Sequence, residues 1–441
     1  MDVVEFIHET NWKVLPQNVC RQARRCLLDT LGAGISARRT NLSKIIHSFA
    51  ASVFGGHGGY LWLDGREVSP PGAALANGMT IDALDIHDGH PLAKGHAGAA
   101  IVPATLATIP LKNSIQVTGA EMLTTLVIGY EIALRAGIVL HATACDYHTS
   151  GAWNALGCAA VAARRLGLNR DKTRHALGIA EYHGPRSQMM RCIDHPSMLK
   201  DGSGWGAMAG VSAAYLANES FTGAPALTIE GEEVKESWGD FGQNWLITDQ
   251  YFKPHAVCRW AQPAIEAALM LQQVHRLTPD KLDRIEVHTF HEAVRLNSRH
   301  PQSTEQAQYS LPFPLAAALV HDHLGAPELS GAALTDSAVL KLSDRIELFE
   351  DNQFSTCFPA QRFARVIIET KDGERYDSGK VEGRWNADDP PSDQELVDKF
   401  SRLVQTVLPD DRAAELGQMI WQCPDLPDAA RLLEALLSPP E

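Results

Sequence analysis

The chain has 441 residues, and its 45% of hydrophobic and 21% of charged residues are typical of a soluble globular protein with a large core. Lys and Arg total 39 against 53 Asp and Glu, which gives a formal net charge of −14. The basic residues form no long run, so we expect no nucleic-acid partner. At roughly 100–200 residues per domain, the length predicts two to three domains.

The spacing of the cysteines and the sequence of the N-terminus both help to predict the cellular compartment. Eight cysteines are scattered and none forms a CxxC pair, which is typical of reduced thiols in a cytoplasmic protein. The first residues, Met1 to Phe6, have neither the basic start nor the apolar stretch of a secretory signal. No apolar run reaches membrane-spanning length. We therefore expect a cytoplasmic protein with no membrane partner.

The first half of the chain has helical periodicity. Apolar residues at helical spacing predict a helix over residues 18–36, stopped by Gly32-Ala-Gly, and a second helix over residues 43–54. Residues 60–68 predict a short hairpin. Residues 71–218 predict an all-α region rich in Ala and Gly. Its helices are expected over residues 119–137, 152–166, 170–180 and 205–217.

The pattern changes after about residue 250. Alternating residues predict strands over residues 282–290 and 363–370, and the second of these turns at Lys371-Asp-Gly into a return strand. Helices are predicted over residues 261–273 and 311–324. Strands and helices in this order indicate an α+β domain.

The predicted fold class is therefore two-domain, with a large all-α helical domain and a smaller α+β domain. Residues 1–252 form the first part of the all-α domain and residues 253–390 the α+β domain. Residues 391–441 are predicted as C-terminal helices that return to the all-α domain, because terminal helices without packing partners are unstable.

Residues 84–98 place titratable side chains, among them Asp85, His90 and His96, between two apolar helical segments. Polar groups in such a position are costly unless they are paired or used. Glycines in the stretch let backbone N–H groups approach a ligand. A helix that restarts near Ala97 would point its positive end at a bound anion. We therefore predict a site for a small anionic molecule.

Two other interpretations of this stretch remain open. Its three histidines and the carboxylates of Asp82, Asp85 and Asp88 would suit a divalent metal, but no two histidines are four apart on one helix and no thiol joins them. Alternatively, the stretch is a loop whose aspartates cap helices. We prefer the anion site, and no metal is predicted.

Two further stretches place a reactive side chain just before an Ala-rich or Gly-rich helix. Tyr147 and His148 precede a Ser-Gly helix start, and Tyr147 would act in proton transfer if a cation lowered its pKa. Lys200 precedes a glycine-rich turn, where it would hold a carboxylate or act as a base. The alternative for Tyr147 is an aromatic residue that only packs against the helix, and the alternative for Lys200 is an ordinary surface lysine.

The last stretch, residues 251–260, lies at the predicted domain junction and holds three candidate cations: Lys253, His255 and Arg259. Ligand sites often lie between domains, so these side chains are candidates for holding a carboxylate. A charged linker is the alternative. Tyr309 and Phe313 would line the same cleft, although such residues more often belong to a core.

The order of these motifs resembles the MmgE/PrpD family. The motifs are Leu84-Asp-x-x-Asp, Gly95-His, Tyr147-His, Met198-Leu-Lys and Phe252-Lys-Pro-His. The likeness runs through nearly the whole chain. The family includes 2-methylcitrate dehydratase, cis-aconitate decarboxylase and iminodisuccinate epimerase. The resemblance implies a small di- or tricarboxylate substrate, no cofactor and a homodimer.

The resemblance also implies roles for individual residues. Two departures argue against dehydration and decarboxylation: Phe313 stands where decarboxylase-like members carry a tyrosine, and Asp88-Gly-His replaces their Asp-Thr-Trp. Tyr147 and Lys200 instead look like the proton carriers of the epimerase, which act from opposite faces. Asp85 would orient His96 or a lysine. The carboxylate-binding candidates are His96, Lys253 and Arg259, with His90, His148 and His255 as further substrate-binding candidates.

An epimerase of the iminodisuccinate epimerase type is therefore the predicted function. Epimerisation beside a carboxylate needs one group to take the proton and another to return it, with cations holding the carboxylate as charge develops. The alternatives are a hydro-lyase like 2-methylcitrate dehydratase and a lyase like cis-aconitate decarboxylase. From a different class, a non-catalytic helical dimer that binds a carboxylate remains the last alternative.

Overall fold

The computed structural model describes residues 1–111 and 116–439. The first part of the chain is helical apart from one short hairpin, as predicted. Its strands are β1 (Gly59–Tyr60) and β2 (Glu67–Val68). Its helices are α1 (Val3–Glu9), α2 (Gln17–Ala37), α3 (Asn41–Val53), α4 (Pro70–Asp82), α5 (Gly98–Ala107), α6 (Gly119–Thr143), α7 (Gly151–Arg165), α8 (Arg170–His183), α9 (Met189–Asp194), α10 (Ser203–Asn218) and α11 (Leu227–Glu230).

Helix α6 runs through the middle of this part and packs against α7 and α5. It is long and apolar enough to cross a membrane by length and composition, but 94% of its most apolar window is buried inside the fold. The prediction that no apolar run reaches membrane-spanning length is therefore wrong for α6. Burial on this scale is also what a core helix shows, so the helix is only weak evidence for a membrane span.

Glycines allow these helices to pack at short distance. A Cβ at Gly78 would come within 2.7 Å of the Gly204 Cα, so α4 and α10 can cross here only because both residues lack a side chain. The same principle corrects the predicted stop at Gly32-Ala-Gly. Helix α2 continues to Ala37, because Gly32 packs against Phe400 and Gly34 against Ile81. These glycines serve close packing and do not end the helix.

The second part contains the predicted strands. The parallel pair is β3 (Leu282–Thr289) with β4 (Ile346–Glu350), and β3 also pairs antiparallel with β5 (Phe363–Thr370). Strand β5 turns into β6 (Arg375–Asp377) and also pairs with β7 (Val381–Glu382). The helices here are α12 (Gln262–His275), α13 (His291–Val294), α14 (Thr304–Gln308), α15 (Pro312–His321), α16 (Ser337–Ser343) and α17 (Asn352–Cys357).

Three C-terminal helices follow the sheet: α18 (Asp393–Val404), α19 (Asp410–Trp421) and α20 (Ala430–Leu437). A capping box between Ser392 and Glu395 fixes the start of α18. Helices α18 and α19 pack against α2 of the helical part. Lys399 of α18 is buried there, and its Nζ lies 2.5 Å from Asp29 Oδ1. The helix predicted for residues 440 and 441 lies outside the described residues.

The segment between α4 and α5, residues 83–97, packs against the junction between the two parts of the molecule and is called the site loop below. Its backbone pairs with the segment that leads into α12: Gly89 N–H donates to the Tyr251 carbonyl at 3.0 Å, and Tyr251 N–H donates to the Gly89 carbonyl at 2.8 Å. The site loop is almost wholly buried, so its polar side chains must find partners inside the protein.

Candidate active site

A small cavity of about 20 Å³ lies between the site loop and the second part of the chain. This is room for about one water molecule, so side chains of the wall must move to admit a larger ligand. Its wall combines titratable side chains from both parts of the molecule. The lining residues are Asp85, Lys94, Gly95, His96, Tyr147, Met189, Asp201, Tyr251, Cys258, Arg259, Trp260, Tyr309 and Arg362.

Asp85 is held in the cavity wall by Lys253. The Lys253 ammonium pairs with Asp85 Oδ1 and also donates to the Asp85 carbonyl oxygen at 2.9 Å. Burial alone would raise the pKa of Asp85, but the charge of Lys253, with Lys200 adding to it, lowers that pKa to about 2. Burial likewise opposes the charge of Lys253, and the Asp85 carboxylate raises the pKa of this lysine above its ordinary value. Both groups are therefore charged.

His96 presents an unprotonated ring nitrogen toward this carboxylate. Its Nδ1 lies 2.6 Å from the Asp88 carbonyl oxygen, which can only accept, so Nδ1 carries the proton and Nε2 the lone pair. Nε2 lies 3.9 Å from Asp85 Oδ1. Burial, and then the charge of Lys253, hold the pKa of His96 well below its ordinary value. His96 is therefore a neutral imidazole able to accept a proton.

Three charged residues around the cavity adopt left-handed backbone conformations: Asp85 (φ 50°), Lys94 (φ 54°) and Lys200 (φ 50°). Non-glycine residues rarely take this conformation, which costs about 1–2 kcal/mol per residue. Such residues cluster at functional sites, where the surrounding structure keeps them in place. The fold thus maintains three unfavourable backbone positions beside one cavity.

Three phenols line the cavity, and two of them, Tyr147 and Tyr309, are candidates predicted from the sequence. The Tyr147 hydroxyl donates to the Lys94 carbonyl at 2.8 Å, and the Lys94 ammonium lies over the Tyr147 ring at 4.7 Å. Burial raises the pKa of Tyr147 well above its ordinary value, and the nearby Asp201 carboxylate adds to this. Burial does the same to Tyr309. Both phenols are therefore proton donors in the resting protein and not bases.

The cavity wall also carries three cations with different freedom to bind an anion. Arg259 donates to the carbonyl oxygens of Gly383 and Arg384, both at 3.2 Å, so much of its donor capacity is used within the protein. Arg362 has one long contact with a carbonyl at 3.5 Å, and its buried Nε has no hydrogen-bond partner among the described residues. Lys94 rests on an aromatic ring. Arg362 and Lys94 therefore have donors to spare for a carboxylate.

Lys200 is not among the lining residues. Its ammonium lies 4.7 Å from the centre of the Tyr309 ring and pairs with Gln308 Oε1. The Gln308 side chain in turn donates to the Ala83 carbonyl at 3.0 Å. Lys200 therefore lies directly behind the cavity wall, separated from it by Tyr309.

Comparison with known proteins agrees with this architecture. The family model of the MmgE/PrpD N-terminal domain matches residues 2–238, and that of the MmgE/PrpD C-terminal domain matches residues 255–423. The chain belongs to the MmgE/PrpD family. Both domains of the family are therefore present, and the two-domain prediction is confirmed.

Characterised MmgE/PrpD relatives match nearly the full length of the chain. The human cis-aconitate decarboxylase is 26% identical over 99% of this chain and 94% of its own. The cis-aconitate decarboxylase-like protein oryM of Aspergillus oryzae is 23% identical over 99% and 96%. The 2-methylcitrate dehydratase of Escherichia coli K12 is 22% identical over 91% and 88%. These relatives are lyases, whereas the predicted epimerase activity has no support among them.

The two departures from the lyase pattern have a structural explanation. Phe313 is fully buried and does not reach the cavity, whereas Tyr309, at the end of α14, lines it. A site tyrosine is thus available four residues before the position at which it was expected. At Gly89, a Cβ would lie 2.5 Å from the Tyr251 hydroxyl and 2.7 Å from His96 Nδ1. Glycine here leaves space for Tyr251 beside the imidazole.

Three predicted substrate-binding histidines lie away from the cavity wall. His148 Nδ1 contacts the Asp146 carbonyl at 2.8 Å, and His255 Nε2 contacts Glu266 at 2.7 Å. His90 Nδ1 accepts from the Ala93 N–H at 3.1 Å, and burial lowers its pKa to about 3, so this ring is neutral and closes a turn of the site loop. Each histidine has a partner within the protein.

Sequence reasoning assigned no role to several polar residues of the cavity wall, among them Lys94, Asp201, Tyr251 and Arg362. Tyr251 and Asp201 lie within the stretches that the sequence singled out, so their proximity to charged residues was an available signal. Arg362 precedes β5 and has no local motif. Among residues 1–111 and 116–439, no three His, Cys, Asp or Glu side chains form a group able to hold a metal ion.

Proposed function

We propose that the protein is a lyase that acts on a small di- or tricarboxylate, with cis-aconitate and 2-methylcitrate as the first substrates to test. The observation that carries this proposal is the placement of a neutral proton acceptor, His96, in one cavity with cations that have free donors, Lys94 and Arg362. Full-length similarity to decarboxylases and a dehydratase supports the lyase class.

The cavity suits chemistry beside a carboxylate. Removal of a proton or of carbon dioxide at that position leaves charge that spreads onto the carboxylate, and fixed cations in a water-poor cavity stabilise it. Lys94 and Arg362 supply that charge. In a dehydration, His96 Nε2 would take the proton, and the nearby Asp85 carboxylate would stabilise the imidazolium that forms. Lys253 keeps Asp85 ionised for this role.

An iminodisuccinate-type epimerase is the second candidate, because it shares the first step with a dehydratase. Its support is the phenol of Tyr147, a proton donor that lines the same cavity as His96. The predicted partner of Tyr147, Lys200, lies behind Tyr309 and would need that ring to move. In the lyase proposal the base, His96, already lines the cavity.

Proton NMR of the purified protein in D₂O, with cis-aconitate, 2-methylcitrate and iminodisuccinate in separate tubes, distinguishes these functions. The lyase proposal predicts new vinyl signals with one of the first two acids. Loss of the α-proton signal from iminodisuccinate without a new product would favour the epimerase. Binding of all three acids with no chemical change would favour the non-catalytic carboxylate-binding protein.

The variant His96→Gln tests the role of the imidazole in the reaction. Loss of a positioned acid–base group is expected to lower kcat by about 10²–10⁴-fold. His300→Gln is the matched control, because the His300 ring is exposed, pairs with the exposed Asp344 and does not line the cavity. Full activity of His96→Gln would remove His96 from the mechanism.

A further inference from the structure

Asp201 is a buried carboxyl group in the cavity wall with one oxygen atom free. It lies in the turn before α10, and only 4% of the residue is exposed. Its Oδ2 accepts a hydrogen bond from the Ser150 hydroxyl. Its Oδ1 is buried and has no hydrogen-bond partner among the described residues. A buried oxygen without a partner is uncommon in folded proteins and requires an explanation.

Ser150 influences where a proton on Asp201 lies. The Ser150 Oγ accepts the His96 backbone N–H at 2.9 Å and contacts Asp201 Oδ2 with its hydroxyl group. When this hydroxyl donates to Oδ2, that oxygen is an acceptor and the acidic proton of Asp201 lies on Oδ1. Asp201 lines the cavity, and its Oδ1 has no partner among the described residues. A proton on Oδ1 is therefore available to a molecule bound in the cavity.

The charges around Asp201 favour its protonated form. The carboxylates of Asp82 and Asp85 lie nearby, together with the protonated groups of Tyr147, Tyr309 and Cys192. Burial, reinforced by the charge of Asp82, raises the pKa of Asp201 to about 7, although the Ser150 hydrogen bond opposes this. A substantial fraction of Asp201 is therefore a carboxylic acid at neutral pH.

We propose that Asp201 is the proton donor of the cavity and transfers the proton on its Oδ1 to the bound substrate. The inference rests on the proposed lyase function. In a dehydration, the proton goes to the departing hydroxyl as the carbon–oxygen bond breaks, and water leaves. In a decarboxylation, the electron pair left on carbon as carbon dioxide departs takes the proton. In both cases Asp201 becomes a carboxylate and regains a proton from solvent between turnovers. In the dehydration, His96 also releases to solvent the proton that it took from carbon.

The first test needs no substrate. The infrared difference spectrum between wild type and Asp201→Asn is recorded across a pH series. A carbonyl stretch of a protonated carboxylic acid, present in wild type below neutral pH and lost above it, is the expected result. Its absence would overturn the proposal whatever reaction the protein catalyses. Asp283→Asn, an exposed position on β3, is the control and should leave the band unchanged.

The second test separates proton transfer from a purely structural role. Asp201→Asn keeps the shape and a donor toward the cavity but has no proton to transfer, so kcat should fall by about 10²–10⁴-fold with KM within about threefold. The loss of wild-type activity as pH rises through about 7 should also disappear. Asp201→Ser is made in parallel, so that a folding defect of one variant does not decide the result.

The outcomes distinguish this inference from the function on which it rests. A variant that retains kcat within about threefold, beside an active wild type, would overturn the donor role and leave the lyase proposal standing. A wild-type protein that leaves cis-aconitate and 2-methylcitrate unchanged would remove the lyase proposal, and the donor role with it.

Discussion

Two buried lysine–aspartate pairs hold the same loop, one from each side. Lys253 pairs with Asp85 and donates to the Asp85 carbonyl, whereas Lys399 pairs with Asp29 and donates to the carbonyl of Ile86, the next residue, at 2.7 Å. The first pair reaches the cavity wall through Asp85. The second is sealed: the side chains of Lys399 and Asp29 are 1% and 0% exposed.

The two pairs differ in their protonation. Burial opposes both charges of the first pair, but the charge of Lys253, with that of Lys200, lowers the pKa of Asp85 to about 2, and the Asp85 carboxylate raises the pKa of Lys253. Burial dominates in the second pair: the pKa of Asp29 is raised and that of Lys399 is lowered. Desolvation can exceed the attraction within a buried pair, so similar geometry does not imply similar energetics. The Lys253–Asp85 pair therefore stays charged beside the cavity, whereas Lys399 of the second pair holds the site loop at the Ile86 carbonyl.

The largest effect is expected from Lys399→Met. This change leaves the Asp29 carboxylate buried without its partner, and breaking a buried pair in this way costs about 3–5 kcal/mol. The free energy of unfolding, measured in urea, should fall by that amount. A loss below about 1 kcal/mol would show that Asp29 finds another partner or is neutral in the folded protein.

Lys253→Met should affect activity more than stability. It removes a fixed charge beside the reacting groups, and loss of one such group typically lowers kcat by about 10²–10³-fold. The unfolding free energy should fall less than in Lys399→Met, since the Asp85 side chain is 7% exposed and lines the cavity, whereas the Asp29 side chain is 0% exposed. Steady-state kinetics and urea unfolding on both variants check the comparison. Equal loss of stability in the two would contradict it.

The pH dependence of stability should separate the two aspartates. The pKa of Asp85 is lowered to about 2, so its contribution of roughly 2 kcal/mol is present above about pH 4 and is lost as pH falls toward 2. Asp29 has a raised pKa, so its contribution is present at low pH and is lost as pH rises through that pKa. The difference in unfolding free energy by which Asp85→Asn falls below wild type should therefore shrink as pH falls. The unfolding free energy of Asp29→Asn relative to that of wild type should rise as pH rises. Urea unfolding at several pH values measures both trends.

The smallest effect on stability is expected when both partners of the sealed pair are replaced. Replacing a buried ion pair by apolar residues of similar volume is often neutral or stabilising. The free energy of unfolding of the double variant Lys399→Met, Asp29→Leu should therefore exceed that of wild type or lie no more than about 1 kcal/mol below it. The same treatment of Lys253 and Asp85 should leave a folded but inactive protein. A double variant at Lys399 and Asp29 that is as unstable as Lys399→Met alone would mean that the packing, and not the charge, matters there.

Most of the secondary structure could be predicted from the sequence, because the apolar periodicity of the helices and the alternation of β3 and β5 are local signals. The stop predicted at Gly32 failed for a tertiary reason. Whether a glycine ends a helix or receives a neighbouring side chain depends on Phe400, which lies far away in sequence. The sequence analysis also failed to recognise that α6 is long and apolar enough to meet the length and composition criteria for a membrane span.

The site was predictable where its residues share a short motif, as with Asp85 and His96. Arg362 could not be found in this way, because it reaches the cavity through the packing of the two parts of the chain. The placement of Lys200 behind Tyr309 also depends on tertiary contacts, as does the contact of His255 with Glu266. A motif can indicate that a side chain is close to a site, but the direction in which it points is decided by the fold.

The left-handed backbone at Asp85, Lys94 and Lys200 has a consequence for protein engineering. Glycine would relieve this conformation, but at Asp85 it would also leave the buried Lys253 ammonium without its carboxylate, which costs more than the relief of about 1–2 kcal/mol. Lys94 is only partly buried and rests on an aromatic ring, so a search guided by thermostability alone would favour glycine at this position. Directed evolution of this protein for robustness therefore needs a simultaneous screen for turnover, since stability and activity make opposite demands at Lys94.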